Sequence, residues 1–328
     1  MNKDRIVIFL TLLVALIVVG LLEFYENKSF VQNQIANTES NWAELIKKIG
    51  PKEAYLQFSK EYENMSIEVQ HTAAHYFGKV LYQEEGLEGI VACDDKFSFG
   101  CYHEFIGTAI SDKGLSVSKS LSEHCDAMGS KFLVLRCKHG IGHGITAYIG
   151  YEYKDLLESL NTCLPLQTDD LIGGCYGGVF MEYNFRTMLA EQAQFREFEE
   201  HNSLYPCNIL PSQFHSSCYY WQPQWWNSVL SGTEEEKYKK IASFCNPLPK
   251  NSQNDCVSGA GTIAAGISQW DPEKTIELCS MFGNNQLRLL CRTSAYDLFK
   301  SEPTKSELAE KVCGGLNSYD QQICLRKI

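Results

Sequence analysis

A chain of 328 residues with a formal charge of −11 and a pI near 5.3 is long enough to bury a sizeable core, either as one elongated repeat array or as two domains. The acidic balance, with no run of Lys or Arg, excludes a nucleic-acid-binding or anionic-membrane-binding surface, since both need a basic face.

The first element is a targeting segment. Ile6 to Leu22 is apolar apart from Thr11, with Lys3 and Arg5 before it and Glu23 and Glu26 after it. At about 1.5 Å per residue such a run reaches the lower limit for spanning a bilayer. The basic flank predicts residues 1–5 as a cytoplasmic tip, residues 6–22 as a transmembrane signal anchor and everything later as extracytoplasmic. A cleaved signal peptide is the alternative, but the run is long for one and Val18-Val19-Gly20 makes a poor cleavage site. No second long apolar run follows, so a single-pass protein is expected.

Residues 23–50 read as a polar stalk ending in a short helix, Asn41 to Ile49, broken by Gly50-Pro51. Ala54, Leu56, Phe58, Tyr62, Met65 and Val69 give an approximate helical stripe after it. Residues 51–328 are expected to form one helical repeat domain, histidine-rich over 51–160 and cysteine-paired over 161–328.

Fourteen cysteines in an exported chain predict a disulfide framework, where a cytosolic enzyme would use them for metal or redox chemistry. They fall in neighbouring pairs: Cys93 and Cys101, Cys125 and Cys137, Cys163 and Cys175, Cys207 and Cys218, Cys245 and Cys256, Cys279 and Cys291, Cys313 and Cys324. Six pairs are 11 or 12 positions apart, and the second members recur every 33 to 43 residues. A period of that size predicts stacked helical hairpins. The first cysteine of a pair usually ends an apolar-periodic segment, as in Ile241-Ala-Ser-Phe-Cys245, and the second opens the next, as in Cys256-Val-Ser-Gly-Ala. Each bond would then staple a helix end to the next helix start, which stabilises by about 3 kcal/mol in the chain-entropy picture. Fourteen cysteines allow on the order of 10⁵ connectivities, and the regular spacing selects the local one.

In period and cysteine placement, residues 93–328 resemble the Sel1-type and tetratricopeptide-type helical repeats, including their secreted cysteine-paired members. That resemblance implies an all-α solenoid with an extended binding surface, often for proteins or peptidoglycan-related partners. It assigns no functional residue.

The stretch Cys137-Lys-His139-Gly-Ile-Gly-His143-Gly144 carries the functional signal. His103 and His139 each lie two residues after a second cysteine, and His143 follows four later. Upstream, His71 and His75 repeat the two-then-six offset with Val69 in the cysteine position. Histidines at i and i+4 share a helix face, so His71, His75, His103, His139 and His143 are candidate metal ligands. A place just after a helix start would keep them neutral, the ligating form. Glu104 and Glu182 are candidate carboxylate partners or proton acceptors. Zinc or iron suits imidazoles; copper(I) fits less well with few methionines, and the Cys-x-x-Cys-His haem-attachment motif is absent. Histidines that merely bridge turns are the bland alternative. Gly140, Gly142, Gly144 and Gly150 each cost about 1 kcal/mol in a helix, which implies close helix packing or an approaching ligand.

Other signals are weaker. Cys218-Tyr-Tyr-Trp-Gln-Pro-Gln-Trp-Trp226 reads as a packing anchor, with a glycan or peptide platform as the alternative. Gly173-Gly174, Gly177-Gly178 and Ser258-Gly-Ala-Gly261 lack the features of a phosphate loop, and no nucleophile elbow or His-Glu-x-x-His motif occurs. Asn27-Lys-Ser and Asn64-Met-Ser fit the glycosylation pattern. Three functions are expected in order: a binding or scaffold protein with a histidine-lined metal site and a protein, peptide or glycan partner; a metalloenzyme, hydrolase or oxidoreductase, using that site; and a purely structural scaffold.

Overall fold

The computed structural model describes residues 39–168, 170, 172–188, 195–302 and 304–327. The expected anchor, residues 6–22, lies outside the described residues. Among those described, no helix is long and apolar enough to cross a membrane.

The described residues are all-α, with no strand. By its internal contacts the chain divides into two compact units, one ending at Cys101 and the other beginning at Tyr102. In the first unit lie α1 (39–49), α2 (Pro51–Tyr62) and α3 (Ile67–Glu85). Helix α4 (Gly100–Lys113) begins there and continues into the second unit. The second unit then alternates shorter and longer helices: α5 (Val117–Asp126) with α6 (Lys131–Ile149), α7 (Tyr153–Cys163) with α8 (Gly174–Phe185), then α9 (His215–Val229), α10 (Glu234–Cys245) with α11 (Lys250–Ile267), α12 (Pro272–Ser280) with α13 (Asn285–Ser301), and α14 (Ala309–Val312) with α15 (Ser318–Cys324).

Local chemistry starts these helices. Ser66, Asp271, Asn284 and Asn317 accept backbone N–H groups at the starts of α3, α12, α13 and α15, and Thr233 forms a reciprocal capping box with Glu236 at α10. Pro51 and Pro272 occupy first-turn positions, where their missing N–H is not needed.

In the first unit Trp42 packs edge-on against Phe58, which stacks on Phe77 at 4.8 Å. Ala54, Tyr55 and Phe58 form the buried face of α2. Leu56, Met65 and Val69 of the expected stripe are exposed instead, because Leu56 lies two residues from Ala54 and so on the other side of the helix.

Seven disulfides join Cys93–Cys101, Cys125–Cys137, Cys163–Cys175, Cys207–Cys218, Cys245–Cys256, Cys279–Cys291 and Cys313–Cys324. The second cysteine does not always open its helix. Cys137, Cys256 and Cys291 each lie six residues past the starts at Lys131, Lys250 and Asn285. The turn between paired cysteines is thus short, and the longer helix has almost two turns before its bond.

In the second unit α6, α8, α9, α11 and α13 contact one another in sequence as one row, and α5, α7, α10 and α12 lie against that row as another. Glycines set how closely neighbours in the row approach. A Cβ on Gly142 would run into the Cys175 carbonyl, and one on Gly178 into the His139 carbonyl. The same register recurs between later repeats, where Gly259 faces the Tyr220 carbonyl and Gly261 the Cys291 carbonyl. Gly142 and Gly261 both stand five residues after a second cysteine, and each meets the cysteine carbonyl of the next repeat. The helical glycines of α6 therefore serve close packing, one of the two explanations left open by the sequence.

That register also corrects the alignment of the first repeat. Gly78 faces the carbonyl of Cys101 as Gly142 faces that of Cys175. Counting back five residues puts Ala73, not the exposed Val69, in the cysteine position. His75, His103 and His139 are then equivalent, each two residues after that position.

Candidate metal centre

Helix α3 presents His71 and His75 one turn apart, with their Nε2 atoms 3.1 Å from each other. A carbonyl oxygen can only accept, so the 2.8 Å contact between His71 Nδ1 and the Phe97 oxygen makes Nδ1 the protonated nitrogen. The lone pair of His71 is thereby left on Nε2, facing His75. The carbonyl is delivered by an unusual loop: Phe97 and Phe99 both have left-handed backbone, φ 55° and 62°, which bulky L residues adopt only at a cost of about 1–3 kcal/mol. The Cys93–Cys101 bond closes this loop. Gly100 lies against the His71 carbonyl and the His75 ring, a place too tight for a side chain.

His71 and His75 each offer one ring nitrogen to an ion within the first unit, and His103 lies on α4 in the second. A tetrahedral zinc ion with Zn–N bonds of 2.0–2.1 Å needs nitrogens about 3.3 Å apart, close to the 3.1 Å between the Nε2 atoms of His71 and His75. Two imidazoles leave two positions of a four-coordinate ion for water or other ligands. His71, His75 and His103 are each half-buried. Burial holds the His71 imidazole below the usual histidine range against the opposing pull of the Phe97 carbonyl, and His75 adds to the lowering. The neutral form that results is the ligating one.

His139 and His143 of α6 form a second i,i+4 pair, again with Nε2 atoms 3.1 Å apart. The His103 ring lies 5.0 Å from that of His143. Glu182 of α8 accepts a 2.9 Å bond from His143 Nδ1. This contact depends on the close approach of α6 and α8 at Gly142 and Gly178. His143 and Glu182 are fully buried. Glu182 also accepts from the Tyr151 hydroxyl at 2.7 Å, the Thr187 hydroxyl, and the backbone N–H groups of Thr187 and Met188 at 3.0 and 3.1 Å. The last two reach it because Arg186 ends α8 in the left-handed conformation, φ 50°, turning the chain back.

Burial alone would raise the Glu182 carboxyl, but the bonds from His143, Thr187 and Tyr151 outweigh it and hold the group below its usual range. Burial, together with His143 and Arg136, holds His139 well below the usual histidine range. The expectation that a helix start keeps this pair neutral is not met: α6 begins at Lys131, eight residues before His139, beyond the reach of the helix-terminal field. Desolvation is the main cause that lowers His139 instead.

Glu104, the other candidate carboxylate, is half-buried on α4 and accepts from Thr108 at 3.5 Å. Phe97, Tyr151, Thr187 and Met188 had no sequence signal. Phe97, Thr187 and Met188 act through backbone groups, Thr187 through its hydroxyl as well, and Tyr151 through a side-chain contact distant in sequence.

The aromatic cluster divides. Trp225 and Trp226 are buried and donate to the Arg196 and Ser203 carbonyls, which makes them packing anchors. Tyr220 and Trp221 instead line a groove of about 570 Å³ in the second unit, with Arg136, Asn227, Thr262 and Leu298. The Trp221 ring lies 5.5 Å from that of His139.

No protein-family model, curated protein or solved structure matches this chain. Its regularly spaced, disulfide-paired helices are consistent with a Sel1-like repeat architecture. Its seven disulfides fit an oxidising, extracytoplasmic location.

Proposed function

We propose that this is an extracytoplasmic binding protein of the helical-repeat type, tethered by residues 6–22 with its N-terminus in the cytoplasm, that holds a transition-metal ion on His71 and His75. The observation that carries the reading is the His71–His75 pair itself: two half-buried imidazoles with Nε2 atoms 3.1 Å apart, one of them with its tautomer fixed by the Phe97 carbonyl. Fixing the outer nitrogen of a ligating histidine is the usual way a protein aims the inner one. Zinc or iron suits this donor set. The groove beside Trp221 supports a role in holding a protein, peptide or glycan partner.

A metalloenzyme is the second reading, favoured by the coordination positions that two histidines leave open, where a bound water would be activated. The deciding experiment is elemental analysis of the untagged full chain, purified in detergent from an oxidising compartment, beside the His71→Ala/His75→Ala variant. Near-stoichiometric metal lost in the variant supports the reading. No metal in the wild type after incubation with zinc and iron salts refutes it.

A further inference from the structure

The His139–His143 pair repeats, on other residues, the device seen at His71–His75. In each pair one imidazole donates its Nδ1–H to a fixed oxygen, and its Nε2 lone pair faces the partner's Nε2 at 3.1 Å. In the second pair that fixed oxygen belongs to a buried carboxylate, itself held by a tyrosine hydroxyl, a threonine hydroxyl and two backbone N–H groups. A histidine that only filled space would not need such support. Burying a carboxylate costs several kcal/mol before its hydrogen bonds compensate. The carboxylate–histidine arrangement is the one that orients metal-ligating imidazoles and raises their basicity. A separation of 3.1 Å is also close to the roughly 3.3 Å at which two imidazoles chelate one tetrahedral ion.

We infer that His139 and His143 form a second centre for a divalent first-row transition-metal ion, with Glu182 as the residue that positions His143. His139 and His143 chelate through Nε2, and water or an exogenous ligand completes the coordination. Glu182 stays outside the ligand set: each of its oxygens already accepts at least two bonds, and its part is to hold the proton on His143 Nδ1. The inference does not depend on the His71–His75 reading, because its two ligands and its carboxylate are different residues.

The test is a cobalt(II) titration of the chelator-stripped, untagged full chain in detergent, with the ligand-field bands and the bound stoichiometry as readouts. Wild type should bind two ions. His139→Ala/His143→Ala and His71→Ala/His75→Ala should each bind one, with different band positions. Glu182→Gln keeps both imidazoles but replaces an acceptor-only group with an amide. It should weaken binding at one centre by about 10–100-fold and shift that centre's bands.

Two ions retained in the His139/His143 variant would overturn the inference. So would a single wild-type ion that survives in that variant. A single ion lost only from His139→Ala/His143→Ala would instead refute the His71–His75 site and leave this one standing. If the His139/His143 variant does not fold, Glu182→Gln decides alone, and unchanged affinity and spectrum at both centres would refute the positioning role.

Discussion

Replacing Gly142 with alanine tests the packing that brings Glu182 to His143. In α6 the new Cβ would stand 2.7 Å from the Val179 nitrogen and would overlap the Cys175 carbonyl, where ordinary contact begins near 3.4 Å. Both opposing atoms are backbone, so no side chain can rotate away, and α6 and α8 would have to part by at least about 0.7 Å (3.4 − 2.7). Such overpacking costs about 1–3 kcal/mol, and backbone opponents place this case near the top of that range. Alanine returns about 1 kcal/mol through helix propensity. The net expectation is a loss of about 2 kcal/mol. At roughly 2–4 °C per kcal/mol for a unit of this size, the unfolding midpoint should fall by about 4–8 °C. Gly266 in α11 is the internal control, because a Cβ there meets nothing within 4 Å. Gly266→Ala should raise the midpoint, gaining up to about 1 kcal/mol. Both can be read by circular dichroism melts of the oxidised protein. If Gly142→Ala stabilises as Gly266→Ala does, the helices are not packed backbone to backbone, and the account of the Glu182–His143 contact fails with them.

Reduction should unfold the protein. Closing a loop with a cysteine separation of 12, as in Cys125–Cys137, stabilises by about 3 kcal/mol, and seven such closures sum to roughly 20 kcal/mol, more than the typical 5–15 kcal/mol net stability of a domain. Adding a phosphine reductant should therefore abolish the helical circular dichroism signal, and a fully helical reduced chain would refute the staple role. Asp255 supplies a pH test. Burial holds its carboxyl above the usual range against a hydrogen bond from Ser216. The folded state thus keeps this proton more tightly than the unfolded chain does. The contribution is complete below the unfolded value near 3.8 and is lost as pH rises through the higher folded value. Asp255→Asn should raise the urea midpoint relative to wild type at pH 7, with the gap closing toward pH 3. A gap that widens on acidification would show the sign to be wrong.

Much of the fold is legible because its restraints are local. Cysteines 11 or 12 positions apart, one closing an apolar segment and one within the next, leave little choice but a short loop between antiparallel helices. Helix starts are less legible where no cysteine marks them: α6, α11 and α13 begin six residues before theirs. The site is legible as residue types but not as geometry. Two i,i+4 histidine pairs can be read from spacing, since 3.6 residues per turn puts them on one face. What fixes their tautomers cannot. The Phe97 carbonyl is a backbone group in a left-handed loop, and a carbonyl has no sequence signature. Glu182 can be named as a carboxylate, but its engagement with His143, Tyr151 and Thr187 depends on how α6 and α8 cross. Counting offsets assigns Val69 to the cysteine position. Only the contact of Gly78 with the Cys101 carbonyl shows the register that puts Ala73 there.

That register connects the glycines to the chemistry. A glycine five residues after the cysteine position lets the next helix come close enough for backbone to meet backbone. Ridges of ordinary side chains hold helix axes about 8–10 Å apart. An imidazole or carboxylate reaches only a few ångströms from its own helix, so direct bonds between side chains of neighbouring helices are favoured where the axes are closest. At Gly142 and Gly178 the result is the buried His143–Glu182 bond. At Gly259 and Gly261 the same approach occurs with Tyr220, Ser258 and Thr293 in the position that His139 holds in its repeat, and the result there is hydroxyl chemistry, such as the 3.3 Å bond from Thr262 to the Tyr220 hydroxyl. The close crossing is therefore a property of the repeat, and the histidines are what particular repeats place in it. The proposed metal role belongs to the repeats that carry imidazoles, and the later repeats supply the same scaffold without them.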